Sequence, residues 1–333
     1  MTPKDIILNT LNNKPVSRKA VLNPVSSTTI SQMEMMNSFF PDAHYDAKKM
    51  YELSRANYEV LGFDAIMPVF SVVIESYAIG CNVDWGRPDM MPQIKGKIWK
   101  GYEDIDIKDD FMDNHAVKAV LECISLLKNK YPDVGVIGKV FGPWTLSYHF
   151  FGVEDFLIKT ILNPEEVKSI LNKLVEITLK FANAQVEAGA DFITIADHAT
   201  KDLCSPLAYR DFLIPIHKML ASEIKIPVML HICGDTLDRI EYICQTGVAS
   251  FHFESKVNAC EAVKVNNNRI KLIGNINNPL TLLFKKPKDV RKEVEYTIKC
   301  GVDIIGPECA VPLTTPLENL IEIAIATKNY NTN

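Results

Sequence analysis

The residues best suited to chemistry in this sequence are one histidine and two cysteines. His231 and Cys233 form an H-x-C pair at the end of an apolar run, and Cys309 follows the last such run. Residues two apart in a strand point to the same face, so the first two side chains can reach one ion. One imidazole nitrogen and two thiolates suit Zn²⁺. Three protein ligands leave the fourth position of a tetrahedron open, which is typical of a catalytic zinc site.

A site of this kind favours thiol chemistry. Zinc deprotonates a coordinated thiol, and a thiolate is the nucleophile that a methyl donor requires. Two cysteinate ligands cancel the charge of the ion, which disfavours activation of water. The alternative interpretation is a packed histidine beside buried cysteines, and spacing by itself does not decide between the two. The remaining cysteines are expected to be reduced, buried apolar residues; they are Cys81, Cys123, Cys204, Cys244, Cys260 and Cys300.

Eight apolar runs are predicted to be the strands that position these residues. Several consist almost entirely of Val, Ile and Leu, as expected for parallel strands buried on both faces. Segments with helical periodicity lie between them, and this repeated alternation predicts a (β/α)₈ barrel. The runs are Ala20–Val25, Phe63–Val69, Val134–Phe141, Ala190–Ala196, Pro227–Ile232, Ala249–Glu254, Ile270–Ile276 and Val302–Gly306.

The sequence also predicts elements outside the eight strands. The segment 164–190 is predicted to be a helix that Asn163 caps and Gly189 ends. Residues 1–19 are expected to form a helical extension over the amino-terminal side of the barrel, and residues 42–99 a longer insertion around the second strand. A doubly wound open sheet is the alternative fold, but it would need a phosphate-type glycine loop, and no GxGxxG or P-loop pattern is present.

Polar residues collect where the predicted strands end, which in a barrel is the catalytic mouth. Asp197 and Glu254 are the candidate catalytic acids or bases among them, although both could instead bind backbone groups. His198 and His252 are expected to be packing residues, and Trp144 and His149 to lie in a loop packed over the barrel. The strand-end residues are Asn23, Ser26, Pro68, Gly142, Trp144, Asp197, His198, His231, Cys233, Glu254, Asn275, Asn277, Glu308 and Cys309.

Composition excludes several classes of protein. The chain has 333 residues, of which 47% are hydrophobic and 23% charged, which is typical of a folded globular protein. The net charge is −5 and no basic tract is present, so nucleic-acid binding has no electrostatic support. The sequence contains neither a signal-peptide pattern nor an apolar run long enough to cross a bilayer, and we therefore expect a cytoplasmic protein without a membrane partner.

Longer segments resemble a known family over nearly the whole chain. They include NYEVLGFDAIMPVFSVVIESYAIGCNVDWG, GPWTLSYHF, HICGDTLDRI, GNINNPLTLL and GPECAVPLTTPLENL. These segments are similar to the methylcobalamin:coenzyme M methyltransferases, within the uroporphyrinogen decarboxylase superfamily. The resemblance implies a single (β/α)₈ domain over residues 1–333. It also implies zinc on His231, Cys233 and Cys309.

The same resemblance implies a reaction. The methyl group would come from a methyl-Co(III) corrinoid (methylcobalamin) on a separate small protein, and its acceptor would be a thiol such as coenzyme M. This chain carries no D-x-H-x-x-G cobalamin signature of its own.

Several alternatives stay open at this point. The acceptor could be another thiol or a tetrahydrofolate, and the enzyme could instead load a methyl group from a small methylated substrate onto the corrinoid. A protein that only docks a corrinoid protein or stores a metal is a hypothesis of a different class. A cobalamin-independent methyltransferase is a further alternative, but such enzymes usually have a chain much longer than these 333 residues. A decarboxylase acting on a porphyrinogen would need basic residues near the amino terminus, and NPVSSTTISQMEMM contains no arginine.

Overall fold

Ten strands and fifteen α-helices occur in residues 1–330, the part of the chain that this computed structural model describes. The strands are β1 Ala20–Val21, β2 Ala65–Ile66, β3 Asn82–Asp84, β4 Gln93–Lys95, β5 Gly135–Phe141, β6 Phe192–Ala196, β7 Val228–His231, β8 Ser250–His252, β9 Lys271–Ile276 and β10 Ile304–Pro307. The helices are α1 Pro3–Leu11, α2 Ile30–Met36, α3 Ala47–Ser54, α4 Ala56–Glu59, α5 Ile74–Ile79, α6 His115–Lys130, α7 Pro143–Phe151, α8 Val153–Leu162, α9 Pro164–Glu187, α10 Pro206–Ala208, α11 Ile214–Glu223, α12 Ile240–Ile243, α13 Ala259–Asn266, α14 Pro287–Cys300 and α15 Leu317–Lys328.

Eight strands form one parallel sheet in the order β1-β10-β9-β8-β7-β6-β5-β2. From β2 to β10 each barrel strand pairs with the next barrel strand in the chain, β10 pairs with β1, and helices cover the outside. The strands are buried along almost their whole length, as the continuous apolar runs require. The predicted (β/α)₈ barrel is confirmed, and each of the eight predicted runs overlaps one of its strands, with β10 ending one residue beyond its run.

A side chain completes the ring where β1 and β2 meet. The backbone N–H of Asp64 donates to the carbonyl of Val21 at 2.7 Å, and Asp64 Oδ2 accepts from the N–H of Val21 at 2.8 Å. Arg18 neutralises this fully buried carboxylate through two hydrogen bonds of 2.6 and 2.7 Å. The two shortest barrel strands are thus joined by a carboxylate rather than by a continuous ladder.

The regions outside the barrel agree with prediction in outline and differ in detail. Helix α1 covers the amino-terminal side, where Ile7 packs beside Gly135 at the start of β5. The insertion, residues 42–99, contains α3 to α5 and an antiparallel hairpin, β3–β4. Asn163 precedes α9 as predicted, but its side chain makes no capping hydrogen bond to the backbone, so that part of the prediction is wrong.

The expectation that all six remaining cysteines are reduced is also wrong. A disulfide joins Cys260, in the first turn of α13, to Cys300 at the end of α14. The two helices lie side by side outside the barrel, which brings together residues 40 positions apart. The other four are free, as expected; Cys81, Cys123 and Cys204 are buried, and Cys244 is half-buried.

No helix within residues 1–330 is both long enough and apolar enough to span a membrane.

Candidate metal centre

Three side chains converge at the carboxyl ends of β7 and β10. His231 Nε2 lies 3.1 Å from Cys233 Sγ and 3.4 Å from Cys309 Sγ, and the two sulfurs are 3.4 Å apart. Residues far apart in the sequence thus place one nitrogen and two sulfurs around a common point. Among the described residues this is the one group of three His, Cys, Asp or Glu side chains that is compact enough to hold an ion.

The ends of the strands explain how the sequence builds this cluster. His231 is the last residue of β7, and the chain turns directly after Cys233 because Gly234 adopts a φ of +83°. Cys309 follows the end of β10. Its carbonyl accepts hydrogen bonds from the side-chain amides of Asn23 at 3.1 Å and Asn278 at 3.2 Å. Both cysteines therefore lie just beyond strand ends, and the loop of Cys309 is anchored to neighbouring loops of the barrel.

The orientation of the His231 ring is fixed by the neighbouring strand. Its Nδ1 lies 3.3 Å from the carbonyl oxygen of His252 on β8, which assigns the proton to Nδ1 and leaves Nε2 free to bind a metal. His252 in turn donates from Nε2 to the carbonyl of Pro307 at 2.8 Å. Burial holds the pKa of His252 well below its usual range, so this ring is neutral. His252 therefore supports the ligand that sequence analysis identified.

The two thiols of the cluster differ in acidity because they share a hydrogen bond. A bond from Cys233 holds the pKa of the Cys309 thiol well below its usual range. The same bond, reinforced by burial, raises the pKa of Cys233. A cation bound between the two sulfurs would favour the thiolate form of both.

The donor set fits zinc. Bonds of about 2.3 Å to sulfur and about 2.1 Å to nitrogen place tetrahedral ligands about 3.6–3.8 Å apart. The observed separations are within about 0.5 Å of those values. The described carboxylates are not part of this compact group, although Glu254 lies beside Cys233, and the cluster borders the cavity.

A cavity of about 330 Å³ opens onto the cluster. Its walls are largely apolar, with polar groups from β5, β6 and α7. Among the described residues of the walls, Lys139 is the one lysine or arginine. The lining residues besides the cluster include Phe70, Val72, Met91, Lys139, Phe141 and His149.

The two predicted acids have different surroundings. Asp197 reaches the cavity wall, but its Oδ1 accepts from the Thr145 N–H at 2.7 Å and its Oδ2 lies 3.0 Å from His217 Nε2. Glu254 is half-buried beside Cys233, and burial together with the negative charge of Cys309 raises the pKa of its carboxyl group. The His231 ring is held by a backbone carbonyl rather than by either acid.

Other strand-end residues have structural contacts. Glu308 accepts from the backbone N–H groups of Ser255 and Asn278, both at 2.7 Å. Trp144 is buried, and its segment forms helix α7 rather than the expected loop. Gly142 touches Asp197 so closely that a Cβ would lie 2.3 Å from the carboxyl carbon, which explains the glycine at this position.

Sequence analysis missed two polar residues of the cavity. Lys139 interrupts the otherwise apolar strand GVIGKVF, and this interruption was the available signal. His149 was expected to pack, but it lines the cavity and its Nδ1 lies 2.7 Å from Ser76 Oγ. Burial lowers the pKa of His149 to about 4, so the ring is neutral near pH 7.

Fold and site together define a (β/α)₈ barrel protein with a cluster of side chains that could hold a metal ion at the carboxyl ends of its strands. Residues 2–330 match the uroporphyrinogen decarboxylase (URO-D) family, and the chain belongs to that family.

Three relatives make the comparison more specific. A methylated-thiol–coenzyme M methyltransferase of Methanosarcina mazei is 32% identical over 96% of this chain and 87% of its own. The methylcobamide:CoM methyltransferase MtaA of Methanosarcina barkeri is 30% identical over 99% of this chain and 98% of its own. A solved methyltransferase from Methanosarcina mazei superposes with a TM-score of 0.95 at 28% identity, covering 98% of both chains. The chain is therefore an enzyme of the methyltransferase type.

Proposed function

We propose that this enzyme is a zinc-dependent methyltransferase that moves a methyl group from a methylated corrinoid, carried by a separate small protein, to a thiol of the coenzyme M type. The observation that carries the proposal is the cluster of His231, Cys233 and Cys309 with one side open to a small cavity. The names of the relatives support the corrinoid and the thiol as reactants.

Zinc held by these three residues would supply a thiolate at neutral pH, where a free thiol with a pKa of about 8.5 is only a few per cent ionised. The chain's own groups prepare the site for it. The carbonyl of His252 keeps His231 Nε2 directed at the two sulfurs. The cavity holds the thiol next to the cluster, and this positioning lowers the entropic cost of the transfer.

Glu254 is the better placed of the two predicted acids to accept the proton of the entering thiol. It lies beside Cys233, and its raised pKa makes its carboxylate a stronger base than an exposed one. Asp197 is committed to Thr145 and His217 through both oxygens. We assign Asp197 the role of positioning the cavity wall.

The composition of the cavity distinguishes between the possible substrates. A porphyrinogen with many carboxylates would require several cations, and the described walls offer Lys139 alone. This favours a methyltransferase over a decarboxylase within the family. A tetrahydrofolate acceptor has no support from the relatives, whose names give coenzyme M.

The opposite direction is the second candidate function. One relative is named for a methylated thiol, so a small methylated thiol is a possible methyl donor for this site too. In that reaction the carbon–sulfur bond breaks, and the methyl group is loaded onto the corrinoid. Incubation of the enzyme with the reduced corrinoid and a methylated thiol, followed by the corrinoid spectrum, distinguishes the two directions.

The zinc site is tested by metal analysis of two cysteine variants. The wild-type protein is expected to hold one zinc per chain, and Cys309→Ala to lose most of it because a three-ligand site becomes a two-ligand one. Cys244→Ala is the matched control, since Cys244 is a half-buried free cysteine outside the cluster. A full equivalent of zinc in Cys309→Ala would remove Cys309 from the site.

The reaction is tested with free methylcobalamin and a panel of thiols. Addition of a thiol to the zinc-loaded enzyme is expected to release about one proton near neutral pH. X-ray absorption should show an additional zinc–sulfur bond, and the corrinoid spectrum should report demethylation. Equal rates of methyl transfer with zinc-free enzyme would contradict the proposal. Binding of a thiol with neither proton release nor a new zinc–sulfur bond would also contradict it.

A further inference from the structure

One cationic side chain points into the cavity from the centre of the barrel wall. Lys139 lies in β5, where all seven residues are buried, and only 3% of its surface is exposed. It shares a face of the strand with Phe141, two residues further on, and both residues line the cavity. The side chain of Gln185 clamps its backbone, accepting from the N–H at 2.9 Å and donating to the carbonyl at 3.0 Å. The position of Lys139 is thus fixed.

The ammonium group of Lys139 has no partner of its own among residues 1–330. No hydrogen bond contributes to its environment, and no carboxylate oxygen lies within 4.0 Å of its Nζ. The acid with the largest electrostatic effect on it is Glu75, which is buried and accepts the backbone N–H of Phe141 at 2.7 Å. The Phe141 ring, with its centroid 5.5 Å from Nζ, provides only a weak cation–π contact.

Two histidines near this ammonium group are neutral, and the acidic groups that act on it, Glu75 and Cys309, do so through electrostatics without a hydrogen bond. Burial lowers the pKa of His44 to about 3, and neither nitrogen of its ring has a hydrogen-bond partner. Burial likewise keeps His149 neutral. Burial lowers the pKa of Lys139 itself to about 8, so the amine is still mostly protonated at pH 7. A buried positive charge therefore faces a largely apolar cavity.

An unpaired buried ammonium group is costly, and proteins ordinarily compensate it with an ion pair or a hydrogen-bonded anion. Here the open side of the group is the cavity that also contains the metal cluster. We propose that Lys139 binds the anionic end of the thiol substrate while the thiol end reaches His231, Cys233 and Cys309. The inference rests on the proposed function, because it assumes that the cavity holds a thiol.

The geometry defines the chemical class of that substrate. A cavity of about 330 Å³ accepts a small molecule, and it has a soft metal cluster in one part and a single cation in another. A short aliphatic chain with a thiol at one end and a sulfonate or carboxylate at the other satisfies both. A neutral thiol of the same length would leave Lys139 uncompensated. Lys139 is thus a specificity-determining residue.

The experiment compares three thiols in three proteins. The probes are 2-mercaptoethanesulfonate, 3-mercaptopropionate and the neutral 2-mercaptoethanol, with free methylcobalamin as methyl donor. The proteins are the zinc-loaded wild type, Lys139→Met and Lys139→Arg. Methionine removes the charge and keeps much of the length, whereas arginine keeps the charge. Lys19→Met is the matched control, because Lys19 is a half-buried lysine in a separate cavity beside Asp303.

Lys139→Met is expected to raise KM for both anionic thiols by about 10- to 100-fold, the range of one charge-assisted hydrogen bond. KM for 2-mercaptoethanol should stay within about twofold, because that thiol makes no contact with a cation. Lys139→Arg should recover part of the loss, and Lys19→Met should match the wild type. Calorimetric titration of the same thiols, without methylcobalamin, should show the same loss of affinity.

Three results would overturn the inference. They are an equal loss for the anionic and neutral thiols, an unchanged KM for the anionic thiols in Lys139→Met, and an effect of Lys19→Met as large as that of Lys139→Met. Failure of the proposed function looks different, because wild-type protein would then methylate none of the thiols. In that case calorimetry still tests Lys139, since preferential binding of anionic thiols does not require turnover.

Discussion

At the scale of single residues, a side chain can line a cavity although its polar atoms already have hydrogen-bond partners. Asp197 and Glu254 both end predicted strands, and both were reasonable acids for the site. The structure shows that the oxygens of Asp197 are already occupied by Thr145 and His217. The carboxyl group of Glu254 adjoins a ligand sulfur. Hydrogen-bond partners, rather than residue type, separate their proposed roles.

Because both oxygens of Asp197 are engaged, we expect two substitutions of this residue to have different effects. Asp197→Asn can keep the hydrogen bonds if the His217 tautomer changes, so kcat should fall by less than about tenfold, below the 10²- to 10⁴-fold expected for a general base. Asp197→Ala leaves buried donors unpaired and should reduce the free energy of unfolding by about 1–3 kcal/mol per group. Denaturant unfolding and steady-state kinetics measure the two effects.

The pH profile of kcat provides the control for this prediction. If Asp197 moves a proton in the reaction, Asp197→Asn should lose a limb of the profile while its unfolding is unchanged. A profile like that of the wild type is the expected result for a positioning residue.

At the scale of elements, one buried carboxylate replaces part of a strand ladder. β1 and β2 are two residues long, and Asp64 joins them by binding the N–H of Val21 and the guanidinium of Arg18. Such short strands cannot close a barrel through many backbone hydrogen bonds. The stability of the seam therefore depends on a single side chain and its counter-ion.

Removing that carboxylate should be strongly destabilising. Asp64→Ala leaves a backbone N–H and an arginine without their buried partner, and we expect a loss of about 3–5 kcal/mol in the free energy of unfolding. Asp89→Asn is the control, because it removes an exposed ion pair with Arg87 and should give no measurable change. Similar urea midpoints for both variants would show that Asp64 does not hold the seam.

At the scale of the whole molecule, the packing of two helices outside the barrel brings together two cysteines that are distant in the sequence. The Cys260–Cys300 disulfide closes a segment of 40 residues that includes α13, β9 and α14. A cross-link of this kind lowers the entropy of the unfolded chain. It would stabilise the carboxyl-terminal third of the barrel, which also carries Cys309.

The disulfide is tested by counting thiols. The chain has eight cysteines, so unreduced protein in denaturant should react at six thiols and reduced protein at eight. Cys260→Ser should lower the free energy of unfolding by about 4 kcal/mol under oxidising conditions, the entropy of a 40-residue loop. Eight reactive thiols without reductant would show that the two residues remain unpaired.

The parts of this protein that depend on local pattern could be predicted from its sequence. Buried parallel strands require continuous apolar runs, and helices require a period near 3.6, so eight alternating units already define the barrel. Once the barrel is predicted, its strand ends must share one mouth, and this placed His231, Cys233 and Cys309 together although they come from two distant strands.

Tertiary structure decided what depends on the atoms that surround each group. The pairing of Cys260 with Cys300 comes from the packing of two helices, and the position of Lys139 on the cavity wall comes from the way β5 is placed in the barrel. The restraint on Asp197 comes from Thr145 and His217, neither of which is its neighbour in the sequence. Sequence periodicity fixes which face a residue occupies, but hydrogen bonding and burial are properties of the folded surroundings. For that reason the convergence of His231, Cys233 and Cys309 was predictable, while the partners of the other polar residues required the fold.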